Sequence, residues 1–204
     1  MRTVGIIGAG AIGGFLAKRI SVMSHLRLVA MADLNPQKVM ALNLVPKNSS
    51  ISEVIDAAEL VIEAASAAVV PQILSRCIAA KRDSLFLSSA GLLDHTELLR
   101  DAQTAGIRVL IPAGAVAGID ALRAAKLGQI ATVRLTTTKP PQGFAGAPEV
   151  LRQGIDLTKI HARTILFEGS ARDAVRGFPQ NVNVAATVSL YGIGAERTMV
   201  CIVA

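Results

Sequence analysis

The sequence predicts an α/β fold in which a doubly wound parallel sheet is followed by a smaller α+β domain. Short apolar runs typical of buried strands alternate with segments of helical periodicity from residue 1 to residue 112, as successive βαβ units require. Hydrophobic residues make up 51% of the 204 residues and aromatic residues only 3%. The core is therefore expected to consist of Ala, Val, Ile and Leu, as in parallel sheets covered by helices.

The first domain is predicted to span residues 1–112. The opening apolar run ends in a glycine, Lys18 and Arg19 suit the C-terminus of a helix, and Asn35-Pro36 supplies an N-cap followed by a first-turn proline. We expect strands at 3–7, 26–32, 60–62, 84–87 and 107–111, and helices at 11–20, 37–42, 52–57, 70–80 and 96–105.

The second domain is predicted to span residues 113–204, because the alternation of strands and helices becomes irregular after Pro112. Ser170 precedes a helical segment, so we expect it to be an N-cap rather than a nucleophile. The periodicity predicts helices at 114–126, 148–153, 171–176 and 182–189, and strands at 130–138, 164–167 and 198–203.

Charge and composition exclude several classes of function. The net charge is +6, but basic residues are dispersed, which favours a solvated surface or a small anionic ligand over nucleic acid. Few aromatic residues are available to stack on bases. The longest uncharged run, 177–195, contains Pro179 and several polar residues, so no membrane span is expected and the protein is expected to be cytoplasmic. Cys77 and Cys201 are expected to be buried thiols, and no metal site is predicted.

A glycine-rich turn follows the first predicted strand. Residues 8–13 read GAGAIG, a GxGxxG pattern that ends a buried strand and opens a helix. In this context the pattern is typical of a Rossmann dinucleotide site: the first glycine permits the tight turn, the second lets the pyrophosphate approach, and the third lets the helix pack on the sheet. The predicted cofactor-binding residues of this turn are Gly8, Gly10, Ala11, Ile12 and Gly13.

Asp33 completes the dinucleotide pattern. It ends the second predicted strand, about 20 residues past the glycine turn, where a carboxylate accepts hydrogen bonds from the adenosine ribose. The alternative is that Asp33 only caps the turn before Asn35-Pro36. Since a carboxylate would repel a 2′-phosphate, the sequence favours NAD over NADP, with NADP still possible.

A second small-residue turn, PAGAVAGID at 112–120, follows the fifth predicted strand. Its position at the carboxyl end of a strand admits two interpretations. The turn either brings backbone close to the nicotinamide end of the cofactor or packs tightly between the domains.

Four segments together resemble the L-aspartate dehydrogenase family. These are PAGAVAGID (112–120), TTTKP (136–140), LFEGSA (166–171) and FPQNVNVAAT (178–187), in the order in which the family has them. The resemblance implies oxidative deamination of L-aspartate with NAD or NADP, through iminosuccinate to oxaloacetate and ammonia, and a link to NAD biosynthesis. It also implies a homodimer.

The resemblance also implies roles for individual residues. The cofactor-contacting alanine of the family falls on Ala115 and its cofactor-contacting asparagine on Asn183. Asn183 could also cap the helix that follows, and the two roles do not exclude each other. Lys139, with Thr138 and Asn181, is the candidate partner for substrate carboxylates, helped by Thr137. Many members have Arg beside this Lys, whereas this chain has Thr138, so the bidentate fork of an arginine is absent here.

The catalytic residue is unassigned from the sequence. The resemblance places the family's catalytic histidine beyond Ala204, and His25, His95 and His161 stand in no matching motif, so all three are expected to lie on the surface. A chain that is C-terminally short in this way is expected to bind NAD with impaired turnover. Two alternatives stay open: a non-catalytic NAD-binding protein on the same fold, and a reductase similar to dihydrodipicolinate reductase or homoserine dehydrogenase, whose motifs are not found.

Overall fold

The computed structural model describes residues 1–45, 47–114, 116–179 and 182–204. The chain divides into two compact units, Met1–Pro112 and Ala113–Ala204. In the described ranges, no helix is long and apolar enough to cross a membrane.

The first unit is built on a five-stranded parallel sheet with the order β2-β1-β3-β4-β5. This confirms the predicted doubly wound sheet. The chain passes from β1 to β2 on one side of β1 and then returns to β3 on the other side. The carboxyl ends of these strands therefore lie at a topological switch point, where such folds bind ligands. The strands are β1 (Arg2–Ile7), β2 (Leu26–Ala32), β3 (Leu60–Glu63), β4 (Asp83–Phe86) and β5 (Val109–Leu110).

Two helices of the first unit begin at residues whose side chains cap them. The Asn35 side chain accepts a hydrogen bond from the Gln37 backbone N–H, and Ser50 and Glu53 form a reciprocal capping box. These contacts set where the chain leaves β2 and where it turns toward β3. The helices are α1 (Ala11–Ile20), α2 (Pro36–Met40), α3 (Ile51–Ala57), α4 (Val70–Ala80) and α5 (Thr96–Thr104).

The second unit contains a three-stranded mixed sheet with the order β6-β8-β7, in which β8 is parallel to β6 and antiparallel to β7. Ser170 caps a helix by accepting a hydrogen bond from the Asp173 N–H, which confirms its predicted structural role. The elements are α6 (Ile119–Ala125), β6 (Val133–Thr138), α7 (Pro148–Gln153), β7 (Ile165–Ser170), α8 (Ala171–Gly177), α9 (Asn183–Tyr191) and β8 (Thr198–Val203).

The structure corrects several predicted bounds. The strand expected at 164–167 runs from Ile165 to Ser170 as β7. The helix expected at 114–126 begins only at Ile119, because Gly114 and Gly118 adopt positive φ values of 63° and 84° that interrupt a right-handed helix. The strand expected at 107–111 shortens to β5, which pairs with β4 alone at the sheet edge. The expected strand 130–138 pairs with β8 only from Val133 onward.

Candidate cofactor site

The glycine turn after β1 is shaped by close backbone contacts. Gly8 has a φ of 103°, and a Cβ placed on it would lie 2.4 Å from the Ala64 carbonyl oxygen. A Cβ on Gly13 would lie 1.9 Å from the Gly8 carbonyl oxygen. Both positions therefore require glycine, because any side chain would push α1 or the loop after β3 away from the turn.

Gly10 differs from the other two glycines of the turn. A Cβ on Gly10 would meet no atom within 4 Å, and its φ of −70° is accessible to any residue. Gly10 is also the N-cap of α1 and offers no side chain to the N–H groups of the first helical turn. The open space and the uncapped helix end together suit the pyrophosphate of a dinucleotide.

Asp33 is held against the glycine turn by two backbone N–H groups. Its Oδ2 accepts a hydrogen bond from the Ala9 N–H (2.7 Å) and its Oδ1 from the Asn35 N–H (2.8 Å). Partial burial alone would raise the pKa of this carboxyl, but these hydrogen bonds, with the nearby Lys38 charge, lower its pKa below 3.8. The carboxylate is thus ionised at neutral pH, and each oxygen keeps capacity to accept a further hydrogen bond.

Both sequence interpretations of Asp33 are reflected in these contacts. The bond to Asn35 is the turn-capping contact, while the bond to Ala9 joins the end of β2 to the glycine turn. The capping role therefore leaves room for the ribose-binding role.

The Asn48 side chain forms two hydrogen bonds with the backbone of Asp33, a role that the sequence analysis did not predict. Its Oδ1 accepts a hydrogen bond from the Asp33 N–H (2.9 Å), and its Nδ2 donates one to the Asp33 carbonyl (3.1 Å). Asn48 also forms an isolated parallel bridge with Met31. This bridge places the segment before α3 beside the end of β2. No local sequence pattern predicts this pairing.

A crevice of about 750 Å³ lies at the carboxyl ends of β1, β2 and β3. This volume lies within the range of small-molecule sites. The crevice is lined by the glycine turn, the segment from Ala32 to Lys38, the segment around Asn48 and the loop after β3. The predicted residues Gly8, Gly10 and Asp33 all line it. Lys38, which also lines it, is a second missed residue and the cation nearest in sequence to Asp33.

The other predicted residues of the glycine turn are placed differently. Gly13 is buried under the turn, where it allows the close packing described above. Ile12 is 59% exposed and Ala11 is also exposed, and neither residue lines the crevice. Only backbone contacts with a ligand are therefore expected of Ala11 and Ile12.

Glu63 is the most deeply buried carboxylate of the described chain, with no exposed surface. It ends β3 and accepts three hydrogen bonds: from the Ala65 N–H (2.7 Å) and the Ser88 hydroxyl (2.9 Å) at Oε1, and from the Ser88 N–H (3.0 Å) at Oε2. The sequence analysis gave no role to Glu63, which directly follows the predicted strand 60–62. Its contacts tie the loop after β3 to the loop after β4.

The predicted substrate residues belong to the second unit. Thr138 ends β6 in register with Val203, and the Lys139 N–H donates to the Val203 carbonyl, so both residues lie at the carboxyl edge of the parallel pair β6 and β8. Asn183 is exposed and is the first residue of α9, so the alternative in which it is the N-cap of that helix is wrong. Ala115 and Asn181 lie outside the described residues.

The histidines and cysteines occupy the expected environments. His25 and His161 are exposed, and His95 is half-buried. Cys77 and Cys201 are buried free thiols, and burial raises the pKa of Cys77 to about 12. Among the residues described here, no group of His, Cys, Asp and Glu is arranged to hold a metal ion.

Comparison with known proteins connects this geometry to a family. Residues 6–112 match the family described as "Homoserine dehydrogenase, NAD binding domain", and residues 120–204 match "Aspartate dehydrogenase, C-terminal". The L-aspartate dehydrogenase of Methanosarcina barkeri is 41% identical over 213 aligned residues, which cover 100% of this chain and 79% of the relative. The chain belongs to the aspartate dehydrogenase family.

Two further relatives agree with this assignment. The L-aspartate dehydrogenase of Bradyrhizobium diazoefficiens is 37% identical, with 97% of this chain and 72% of the relative covered. The crystal structure of aspartate dehydrogenase from Thermotoga maritima matches with a TM-score of 0.74 at 26% identity, covering 100% of this chain and 79% of that one. Membership of this family makes the protein an oxidoreductase with a nicotinamide cofactor.

Proposed function

We propose that the protein is an L-aspartate dehydrogenase that uses NAD in preference to NADP. The reaction removes a hydride from Cα of L-aspartate and yields iminosuccinate, which water converts to oxaloacetate and ammonia. The observation that carries the proposal is the Asp33 carboxylate on the wall of a crevice built over Gly8 and Gly10, in a chain 41% identical to an L-aspartate dehydrogenase.

The residues of the crevice suit the adenosine and pyrophosphate parts of the cofactor. Asp33 would accept hydrogen bonds from the adenosine ribose hydroxyls, and the first turn of α1, with Gly8 and Gly10, would hold the pyrophosphate. The cofactor supplies a nicotinamide ring that accepts the hydride. The protein supplies a fixed carboxylate and backbone N–H groups, so little reorganisation is needed on binding.

The preference for NAD is supported by the charge of Asp33. A 2′-phosphate would stand where the ribose hydroxyl meets this carboxylate, and two negative charges in contact repel each other. Lys38 partly offsets this repulsion, because it lines the same crevice. We expect NADPH to bind more weakly than NADH without being excluded.

The aspartate side of the reaction rests on the second unit and on the family. We propose that Lys139 pairs with a substrate carboxylate and that Thr138 and Asn181 add hydrogen bonds. Ala115 and Asn183 would contact the nicotinamide end of the cofactor, as the sequence resemblance implies. A homodimer and a supply of iminosuccinate to NAD biosynthesis belong to the same proposal.

Two assays test the proposed function on the full chain. NADH formation is followed by its absorbance with L-aspartate as the substrate and D-aspartate, L-glutamate and L-homoserine as controls. NADH and NADPH binding are followed by ligand fluorescence, which is read without a tryptophan background because the chain contains no tryptophan.

The expected result is NADH formation with L-aspartate alone and a lower dissociation constant for NADH than for NADPH. NADH binding without turnover of any substrate would instead favour a non-catalytic NAD-binding protein. Turnover of L-homoserine in place of L-aspartate would refute the substrate assignment, and failure to bind either dinucleotide would refute the cofactor assignment.

A further inference from the structure

Glu63 occupies a position for which fold stability offers no simple reason. Removing a carboxylate from water is costly, and an apolar residue at the end of a central strand would avoid that cost. Glu63 is nevertheless fully buried at the carboxyl edge of the sheet, next to the topological switch point. Its three hydrogen-bond donors all come from the loops that follow β3 and β4.

The loop after β3 donates a hydrogen bond to Glu63 and also forms the crevice wall that faces the glycine turn. The space beside Gly8 is closed by the Ala64 carbonyl and by the Ala65 nitrogen, which a Cβ on Gly8 would approach to 2.4 Å and 2.7 Å. Ala64 and Ala65 line the crevice. The Ala65 N–H in turn donates to Glu63 Oε1, so Glu63 determines where this wall stands relative to the glycine turn.

The loop after β4 is held by the same side chain and by a second close contact. Ser88 donates to Glu63 through both its N–H and its hydroxyl. A Cβ on Gly91 would lie 2.3 Å from the Ala67 carbonyl oxygen, so the two loops touch along their backbones. The two loops therefore form one wall that is fastened at Glu63.

We infer that Glu63 is a positioning residue that sets the crevice wall beyond the glycine turn and thereby the affinity for the full dinucleotide. This inference rests on the proposed cofactor role of the crevice. Asp33, Lys38 and Asn48 line the crevice near the end of β2, where we expect the adenosine, whereas Ala64 and Ala65 line it beside Gly8, where we expect the cofactor to continue past its pyrophosphate. Glu63 itself does not line the crevice, so it acts through Ala65 and Ser88.

The chemistry of the three donors makes glutamine an informative replacement. Both carboxylate oxygens accept a backbone N–H, Oε1 from Ala65 and Oε2 from Ser88. A glutamine amide has one acceptor oxygen and one NH₂ group, which only donates. In either orientation, the NH₂ of Glu63→Gln would face one of these N–H groups, so one of the two loops must shift.

Glu59 provides a matched control at the other end of the same stretch of chain. It precedes β3, at the amino edge of the sheet, and is exposed. A single oxygen, Oε2, accepts from the Thr3 N–H (2.7 Å) and hydroxyl (3.0 Å). An amide oxygen can accept both of these hydrogen bonds, so Glu59→Gln makes the same chemical change without the conflict.

The experiment compares NADH with AMP as ligands of the wild-type chain, Glu63→Gln and Glu59→Gln. NADH spans the whole cofactor path, whereas AMP occupies only the adenosine side. We expect Glu63→Gln to weaken NADH binding about tenfold, as one unsatisfied buried N–H group implies. AMP affinity should change by less than about twofold, since AMP ends at the first phosphate and extends less far along the wall formed by Ala64 and Ala65 than NADH does. Glu59→Gln should leave both affinities unchanged.

The alternative outcomes are distinct. Unchanged NADH affinity in Glu63→Gln would overturn the inference, and equal weakening of NADH and AMP would also overturn it, because a general loosening of the unit affects both ligands. If the wild-type chain binds AMP but not NADH, the proposed function fails, whatever Glu63 does.

A milder variant keeps the test available if Glu63→Gln does not fold. Ser88→Ala removes only the hydroxyl donor to Oε1 and keeps both backbone N–H bonds. It should weaken NADH binding about fivefold and leave AMP binding unchanged, since a typical hydrogen bond contributes about 1 kcal/mol. Equal loss of both ligands, or no loss of NADH, would again overturn the inference.

Discussion

The two units differ in how they present their candidate functional groups. In the first unit, Asp33 and Glu63 are fixed by backbone N–H donors at the carboxyl edge of the parallel sheet. In the second unit, Thr138 and Asn183 are exposed and Lys139 is half-buried. Cofactor binding by the first unit, as proposed, therefore depends on backbone geometry. Substrate binding by the second unit, as proposed, depends on side chains at accessible positions.

The largest expected effect separates two glycines of the same turn. Gly13→Ala places a Cβ 1.9 Å from the Gly8 carbonyl and should lower the free energy of unfolding by about 3 kcal/mol or more. Gly10→Ala meets no atom within 4 Å and should change stability by less than about 1 kcal/mol. It should still weaken NADH binding, because its methyl group occupies the pyrophosphate path. Urea denaturation and NADH titration measure both effects, and equal stability of the two variants would contradict the packing argument.

The next effect concerns Asp33. Asp33→Ala removes the proposed ribose acceptor and also frees the Ala9 N–H, so NADH should bind about 30-fold more weakly, as expected for lost charge-assisted hydrogen bonds. Asp56→Ala changes an exposed aspartate on α3 and serves as the matched control. NADH affinity that survives Asp33→Ala would discredit the crevice as the dinucleotide site.

A substitution in the second unit should affect the substrate and leave the cofactor alone. Lys139→Met removes the charge proposed to meet a substrate carboxylate and should weaken oxaloacetate binding to the NADH-loaded protein about tenfold. Lys126→Met, at the exposed end of α6, is the control. Calorimetric titration of oxaloacetate requires no turnover. A loss of NADH affinity in Lys139→Met would contradict the proposal that Lys139 contacts the substrate and not the cofactor.

The smallest expected effect is on the pH dependence of stability and concerns one exposed ion pair in each unit. The Lys47 contact, with Ser50, lowers the pKa of Glu53 to about 2, and the Arg152 contact lowers the pKa of Glu149 to about 2. A depressed carboxyl pKa stabilises the fold above the ordinary value of 4.5, and this stabilisation is lost as the pH falls toward 2. Glu53→Gln and Glu149→Gln should each make unfolding slightly less sensitive to pH in this window, as measured by thermal denaturation. An unchanged pH profile in both variants would show that these exposed pairs contribute nothing.

Sequence reasoning succeeded where local signals and fold geometry agree. The bounds of β2 and β8 were predicted correctly because both strands are apolar runs with clear ends. Gly8 and Asp33 were selected because the glycine turn and the acidic strand end stand at a fixed spacing in dinucleotide sites. Both line the crevice, and their binding of the cofactor stays a prediction. The helix expected from residue 114 failed, because the positive φ values of Gly114 and Gly118 depend on a turn that helical periodicity does not reveal.

Two of the missed residues, Asn48 and Glu63, share one physical cause. Asn48 reaches Asp33 across 15 positions of sequence, and Glu63 reaches Ser88 across 25. Neither partner is specified by a local pattern, because each contact exists only once β2 or β4 has taken its place beside its neighbour in the sheet. Polar residues whose hydrogen-bond partners are distant in sequence are thus the positions where the structure adds most to the sequence.

A crystal structure of the protein with NADH tests the central claim most directly. We expect the adenosine ribose hydroxyls to lie about 3 Å from the Asp33 carboxylate and the pyrophosphate to lie over Gly10 at the start of α1. A cofactor bound elsewhere, or a ribose that does not contact Asp33, would contradict the account.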